Sequence, residues 1–284
     1  MNILNILEEV EKVDGEIYER LNPRRKAMKD FYGVGKKVAM AAVPLALGSM
    51  FTKAYGQTTP AQVKDVLGFA LALEYLEWNY YNHAVEKLPG LIESDGMAAI
   101  KVIRDHERMH VDFLKGALKI TGPDQYVYAD FDFTAGGTFS DVDSNYLTFL
   151  KVALAFEDTG VRAYKGQAPN LLKDPNLTYA LQIHAVEARH AAHIRGMLAA
   201  KGAPLAPWIS LGPNGESNDT GVAAANMTYA GEDNETQLGI KITGISGING
   251  ITKAKAVECF DEALTKAQVI EIANGFIKPG KKLS

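Results

Sequence analysis

Cysteine is nearly missing from this chain. Cys259 is the only one among 284 residues, which excludes an intramolecular disulfide and a cysteine zinc site. Charge of one sign is also lacking. The chain has 34 acidic and 30 basic residues, with a net charge of −4 and a pI near 5.9, so it presents no basic field suited to a nucleic-acid partner. No glycine-rich phosphate loop, Ser/His/Asp order or CxxC pair occurs. Long hydrophobic runs are absent too. The apolar stretch 38–51 carries Pro44 and Gly48 and is too short for a transmembrane helix. What is present is 47% apolar and 23% charged residues, enough for a sizeable core.

Histidine is scarce, and its placement is informative. With six histidines in the chain, a given glutamate has only a roughly two per cent chance of a histidine at i+3. Yet Glu107-x-x-His110 and Glu187-x-x-His190 both occur, each inside a helical, apolar-patterned segment. On a helix, i and i+3 share a face, so each pair points a carboxylate and an imidazole the same way. Two further helical segments carry glutamate among apolar neighbours: Glu74 in Ala-Leu-Glu-Tyr-Leu-Glu and Glu157 in Ala-Phe-Glu-Asp-Thr-Gly. The order Glu74, Glu107/His110, Glu157, Glu187/His190 is one half-site repeated twice, as two helical hairpins supply. It is the pattern of a di-metal carboxylate bundle. Four inward carboxylates repel one another without cations, and hard iron or manganese ions take carboxylate oxygen with imidazole nitrogen.

The helical periods and their breakers set the expected elements. The first helix runs from a Thr59 cap and Pro60 to about Lys87, ended by Pro89-Gly90. The second covers about 93–120, the third 143–166 and the fourth 175–201, the last stopped by Gly202 and Pro204. Residues 122–143 read as a long crossover on the bundle surface between the second and third helices. Residues 205–252, rich in Gly, Asn, Thr and Ser, read either as loops with one or two weak strands or as a wrapped extension. Thr265 followed by Gln268 predicts a capping box opening a last helix with Val269, Ile270, Ile272 and Phe276, packed on the bundle. The expected divisions are 1–56, an N-terminal segment; 57–204, the bundle; and 205–284, a C-terminal extension.

The stretches 69–77, 104–110, 156–160 and 185–190 together resemble the ferritin-like superfamily, specifically the ferritin-like domain family that includes desiccation-related proteins. The resemblance covers residues 62–202. It implies an all-α, four-helix ferritin-like bundle with extensions at both ends. It also implies two iron or manganese ions: Glu107 and Glu187 bridging, Glu74 with His110 on one ion, Glu157 with His190 on the other. The implied activity is ferroxidase-like redox chemistry with O2 or peroxide. The alternative is a non-catalytic stress or desiccation-related protein retaining the bundle. An iron-storing cage fits the extensions less well than a monomer or homodimer.

Glu77 lies one turn from Glu74 and is a neighbour, an alternative ligand or exposed. Ferritin-like helices carry a Glu-x6-Tyr pattern, and Glu74 to Tyr81 has that spacing, so the resemblance favours Glu74. His184 and His193 are candidates to orient a ligand, and His106 crowds the same helices. Tyr81 and Tyr164 carry electrons, hydrogen-bond a ligand or are ordinary aromatic core. At the N-terminus, Arg24-Arg25 ahead of the run 38–51 and Ala54-Tyr55-Gly56 resembles a cleaved twin-arginine export signal, with a mature start near Gln57 and a periplasmic or otherwise exported protein. The alternative is that residues 2–21, with apolar Ile3, Ile6, Leu7, Val10, Val13 and Ile17, persist as a docked helix in a cytoplasmic protein.

Overall fold

A computed structural model describes residues 60–212, 223–245 and 251–284. The export signal, the helix expected over 2–21 and the Thr59 cap fall outside the described residues. Within them, four long helices form the frame: α1 Pro60–Lys87, α2 Met97–Ala117, α3 Tyr146–Gln167 and α4 Asn176–Ala200. Helix α1 packs along α2 and α3 along α4, giving two hairpins. Two short helices follow, α5 Lys253–Glu258 and α6 Lys266–Asn274. The architecture is all-α, and among the described residues no helix is long and apolar enough to cross a membrane.

Local chemistry sets the helix limits. Helix α1 opens on Pro60, whose missing N–H costs nothing in a first turn, and stops ahead of Gly90 at φ +87°. Helix α2 begins at Met97 rather than 93, because the Leu91 amide donates to Leu88 and the Gly96 amide to Glu93 in tight turns first. It ends at Ala117 rather than 120, because Lys119 adopts φ +57°. The amides of Lys119 and Ile120 return to the carbonyls of Gly116 and Lys115, which is Schellman closure. Gly202 (φ +91°) closes α4 the same way, with Ala203 donating to Leu198. Asn145 caps α3, its side chain accepting from the Leu147 amide at 3.0 Å.

The crossover from α2 to α3 is long and contains one 3-10 turn, Tyr128–Asp130. It does more than lie on the surface, since Phe131, Phe133, Phe139 and Val142 are buried. Apolar residues spaced without a helical period still leave water when a neighbouring surface accepts them. Asp124 ties its start to the first hairpin, accepting from Arg108 and Lys115 at 2.7 Å each and from Tyr75 at 3.1 Å. Its middle pairs with the chain after α6: the Asp132 amide donates to the Phe276 carbonyl and the Lys278 amide to that of Asp130.

The extension carries one two-residue hairpin, Thr236–Gln237 with Ile240–Lys241, turned by Leu238 and Gly239 at positive φ. The expected capping box is present: the Gln268 amide donates to Thr265 Oγ1 and the Thr265 amide to Gln268 Oε1. Helix α6 buries Val269 and Ala273 against the core, and Phe276 packs edge-on to Phe156 at 4.7 Å. Tyr80 stacks on Phe149 at 4.8 Å and meets Phe156 at 5.1 Å, joining α1 to α3 beside the glutamates.

Candidate metal centre

Glu74, Glu107, Glu157 and Glu187 are all 0% exposed, with His110 and His190 nearly so. Each comes from the middle of its helix, where the apolar face turns inward. One ligand atom each from Glu74, Glu107, His110 and Glu187 lies within 4.8 Å of the others, and the same holds for Glu107, Glu157, Glu187 and His190. Glu107 and Glu187 belong to both groups. Glu107 divides its oxygens between the halves: Oε2 lies 3.0 Å from His110 Nδ1, and Oε1 lies 2.9 Å from His190 Nδ1. His110 Nδ1 is also 3.0 Å from Glu74 Oε2 and 3.2 Å from Glu187 Oε1; His190 Nδ1 is 3.1 Å from Glu157 Oε2.

These short distances do not satisfy every oxygen. A ring nitrogen carries one hydrogen at most, and that of His190 Nδ1 is aligned on Glu157. Glu107 Oε1 therefore has no hydrogen bond despite its proximity, and neither do Glu187 Oε1 and Oε2. Buried carboxylate oxygens without donors are costly, and here they converge on shared points. The donor set, carboxylates with one imidazole per half and no thiol, fits hard or borderline cations such as iron and manganese.

The outer oxygens of the terminal glutamates are held crosswise. Tyr81 of α1 donates to Glu157 Oε1 of α3 at 2.5 Å, and Tyr164 of α3 donates to Glu74 Oε1 of α1. Glu157 and Tyr164 repeat the seven-residue spacing of Glu74 and Tyr81, a signal present in the sequence. His106 Nδ1 lies 3.0 Å from His190 Nε2, with the rings stacked. This is the imidazole that orients a site residue. It stands one position before Glu107 on α2, off the row that carries Glu107 and His110, and so reaches across to α4 instead. His184 reaches the Val161 carbonyl at 2.9 Å, and among the described contacts His193 meets no site residue.

Glu77 is buried rather than exposed, making a fifth carboxylate, though outside both four-residue groups. Gly160 gives it room: a Cβ there would sit 3.2 Å from Glu77 Oε1 and 3.1 Å from Glu187 Oε2. The crowding shows in acidity. Burial raises Glu107 to about 7 despite the two histidines beside it. Burial and the Glu107 and Glu157 carboxylates hold Glu187 well above the usual range, and burial with Glu187 does the same to Glu77. Burial alone would lower His190, but Glu157 and Glu107 push it up to about 11; Glu74 and the adjoining carboxylates likewise raise His110.

Two helical hairpins closing on paired carboxylates and imidazoles make this a carboxylate-lined helical bundle, with side chains that could hold metal ions. Residues 62–200 match the ferritin-like domain family, and this part of the chain belongs to it. No curated protein and no solved structure gave a match.

Proposed function

We propose that Glu74, Glu107, His110, Glu157, Glu187 and His190 hold two iron or manganese ions, and that the protein performs ferroxidase-like redox chemistry with O2 or peroxide. The division of Glu107 between the two histidines carries this reading, because a carboxylate facing two sites is what a shared ligand requires. Such ions would supply the one-electron redox steps. The chain's own residues supply position and charge. Tyr81 and Tyr164 fix the terminal carboxylates, so that the second oxygen of each faces inward beside His110 or His190. His106 fixes the ring of His190. Leu71, Ile100, Leu154 and Ile194, one or two helical turns along their helices from Glu74, Glu107, Glu157 and His190, are fully buried.

The test is metal analysis of protein purified without chelator, followed by melting with added Fe(II) or Mn(II). Two equivalents per chain are expected, with a higher melting temperature in the wild type and no rise in Glu107→Ala/Glu187→Ala. Equal shifts in both proteins refute the site. Oxygen uptake on adding Fe(II), lost in the double variant, tests the redox step. Bound metal without uptake leaves a structural role instead.

A further inference from the structure

The interior of the bundle is not filled evenly along its length. Beyond the layer of metal-centre side chains, at the end where α1 and α4 begin and α2 and α3 finish, lies a cavity of about 20 Å³. Each long helix lines it with a residue in register with its candidate ligand. Ala70 stands one turn before Glu74, Leu114 one turn after His110, Tyr164 two turns after Glu157 and Ile183 one turn before Glu187. Residues four or seven apart share a helix face, so the cavity belongs to the next layer of the same core. Tyr164 joins the two layers: it lines the cavity, and its hydroxyl donates to Glu74 Oε1.

Chemistry and size narrow what this space can hold. Most of its lining is aliphatic or aromatic, and its polar members are engaged elsewhere: Tyr164 on Glu74, Gln167 with Asn170 at 3.0 Å, and Asn176 with Asp174 at 2.7 Å. Water and hydrogen peroxide lose hydrogen bonds on entering such a space, whereas an apolar molecule has none to lose. A single water needs about 10–15 Å³ on the same measure, so the cavity admits one small molecule and no organic substrate. Phe113 lines it while 39% exposed, so on that side at most one side chain separates it from solvent. Of the two oxidants considered above, O2 is the apolar one.

We propose that this cavity is a holding site for O2 beside the candidate ligands, and that O2 rather than peroxide is the oxidant the domain takes up. The proposal rests on the redox reading given above.

Two measurements test it. The first needs no bound metal. O2 is paramagnetic and speeds the relaxation of nearby nuclei. In the chelator-treated full chain under O2 pressure, the methyl NMR signals of Ala70, Leu114 and Ile183 should relax faster than those of Leu154 and Ile194, which are equally buried but do not line the cavity. The second is stopped-flow oxidation of Fe(II)-loaded protein, by O2 and separately by hydrogen peroxide, in wild type, Ala180→Leu and Ala70→Leu. The two substitutions fill the cavity from α4 and α1, so either one serves if the other fails to fold. Each should abolish the excess relaxation and lower the rate at limiting O2 about five-fold or more, with the rates at saturating O2 and with peroxide within about two-fold of wild type. No excess relaxation in the wild type, an unchanged O2 dependence in a folded variant, or equal slowing with peroxide overturns the inference. A wild type that shows the excess relaxation yet oxidises no Fe(II) with O2 overturns the redox reading instead, and with it the role given to the held O2.

Discussion

Glu187 has two buried oxygens with no hydrogen bond and an acidity pushed well above the usual carboxylate range, by burial and then by Glu107 and Glu157. Without a cation, ionising it is therefore expensive. Chelator-treated Glu187→Gln should be more stable than chelator-treated wild type at pH 8, by about 1–2 kcal/mol or roughly 2–8 °C in melting temperature. A metal-free variant melting at or below the wild type would contradict this. Glu232 makes a separate pH test. Burial raises it to about 7 although Arg162 opposes the shift. The folded protein then holds this proton between pH 4.5 and 7 after the unfolded chain has released it. The resulting stability is full below pH 4.5, declines as pH rises and is gone above 7, a change of up to about 3 kcal/mol. Urea unfolding at about pH 5 and pH 7 should show a smaller fall in Glu232→Gln than in wild type; equal falls would exclude Glu232 as a source.

At this scale the sequence was legible where spacing fixes direction. Glu107/His110 and Glu187/His190 share faces because the helix repeats every ~3.6 residues, and they do meet inside the bundle. His106 was not legible as the partner of His190, because that contact crosses from α2 to α4 and no local spacing encodes it. Nor were Arg162 and Asp158, buried charged residues of α3, whose partners Tyr229, Glu232 and the carbonyls of Thr228 and Ala230 lie far along the chain in the extension.

Among the elements, α3 is the most constrained, because it meets the centre on one side and the extension on another. Two of its glycines separate these roles. A Cβ at Gly160 would press on the carboxylates of Glu187 and Glu77, which are side chains and can give by a few tenths of an ångström. Gly160→Ala should fold, yet show a smaller rise of melting temperature with Mn(II) than wild type. At Gly166 a Cβ would run into the Leu264 carbonyl oxygen, which is backbone. The extension is fixed there by the Leu264 amide on the Arg162 carbonyl and by Lys165 on Asp261. Gly166→Ala should therefore lose about 1–3 kcal/mol with its metal response intact. The reverse pattern in the two variants would contradict this division. The long helices were readable because apolar period and Pro or Gly breakers agree at Lys87 and Gly202. The end of α2 was not, since Lys119 takes a left-handed conformation usually given to glycine. Helix α5 was missed altogether: six residues are too few to show a period, and its only signal was the Thr252 cap.

For the whole molecule, the extension completes the bundle core. Phe276 packs on Phe156, next to Glu157, and stacks near Phe139 at 5.9 Å, while Ile277 bridges to Phe131 of the crossover. A chain lacking residues 251–284 should expose these aromatics, bind the dye ANS and unfold over a broader range. A truncated protein with a wild-type transition and no dye binding would show that the four long helices suffice alone.

The crosswise tyrosines have a consequence for how the domain divides. Each hairpin carries a glutamate, a Glu-x-x-His pair and a tyrosine, but its tyrosine braces the other hairpin's glutamate. Half the domain is thus a complete set of parts and an incomplete machine. Cut in the crossover, the two pieces should be inert apart and regain metal binding only when mixed. The two hairpins are unlike halves that brace each other, so the domain has the internal logic of a heterodimer written on one chain.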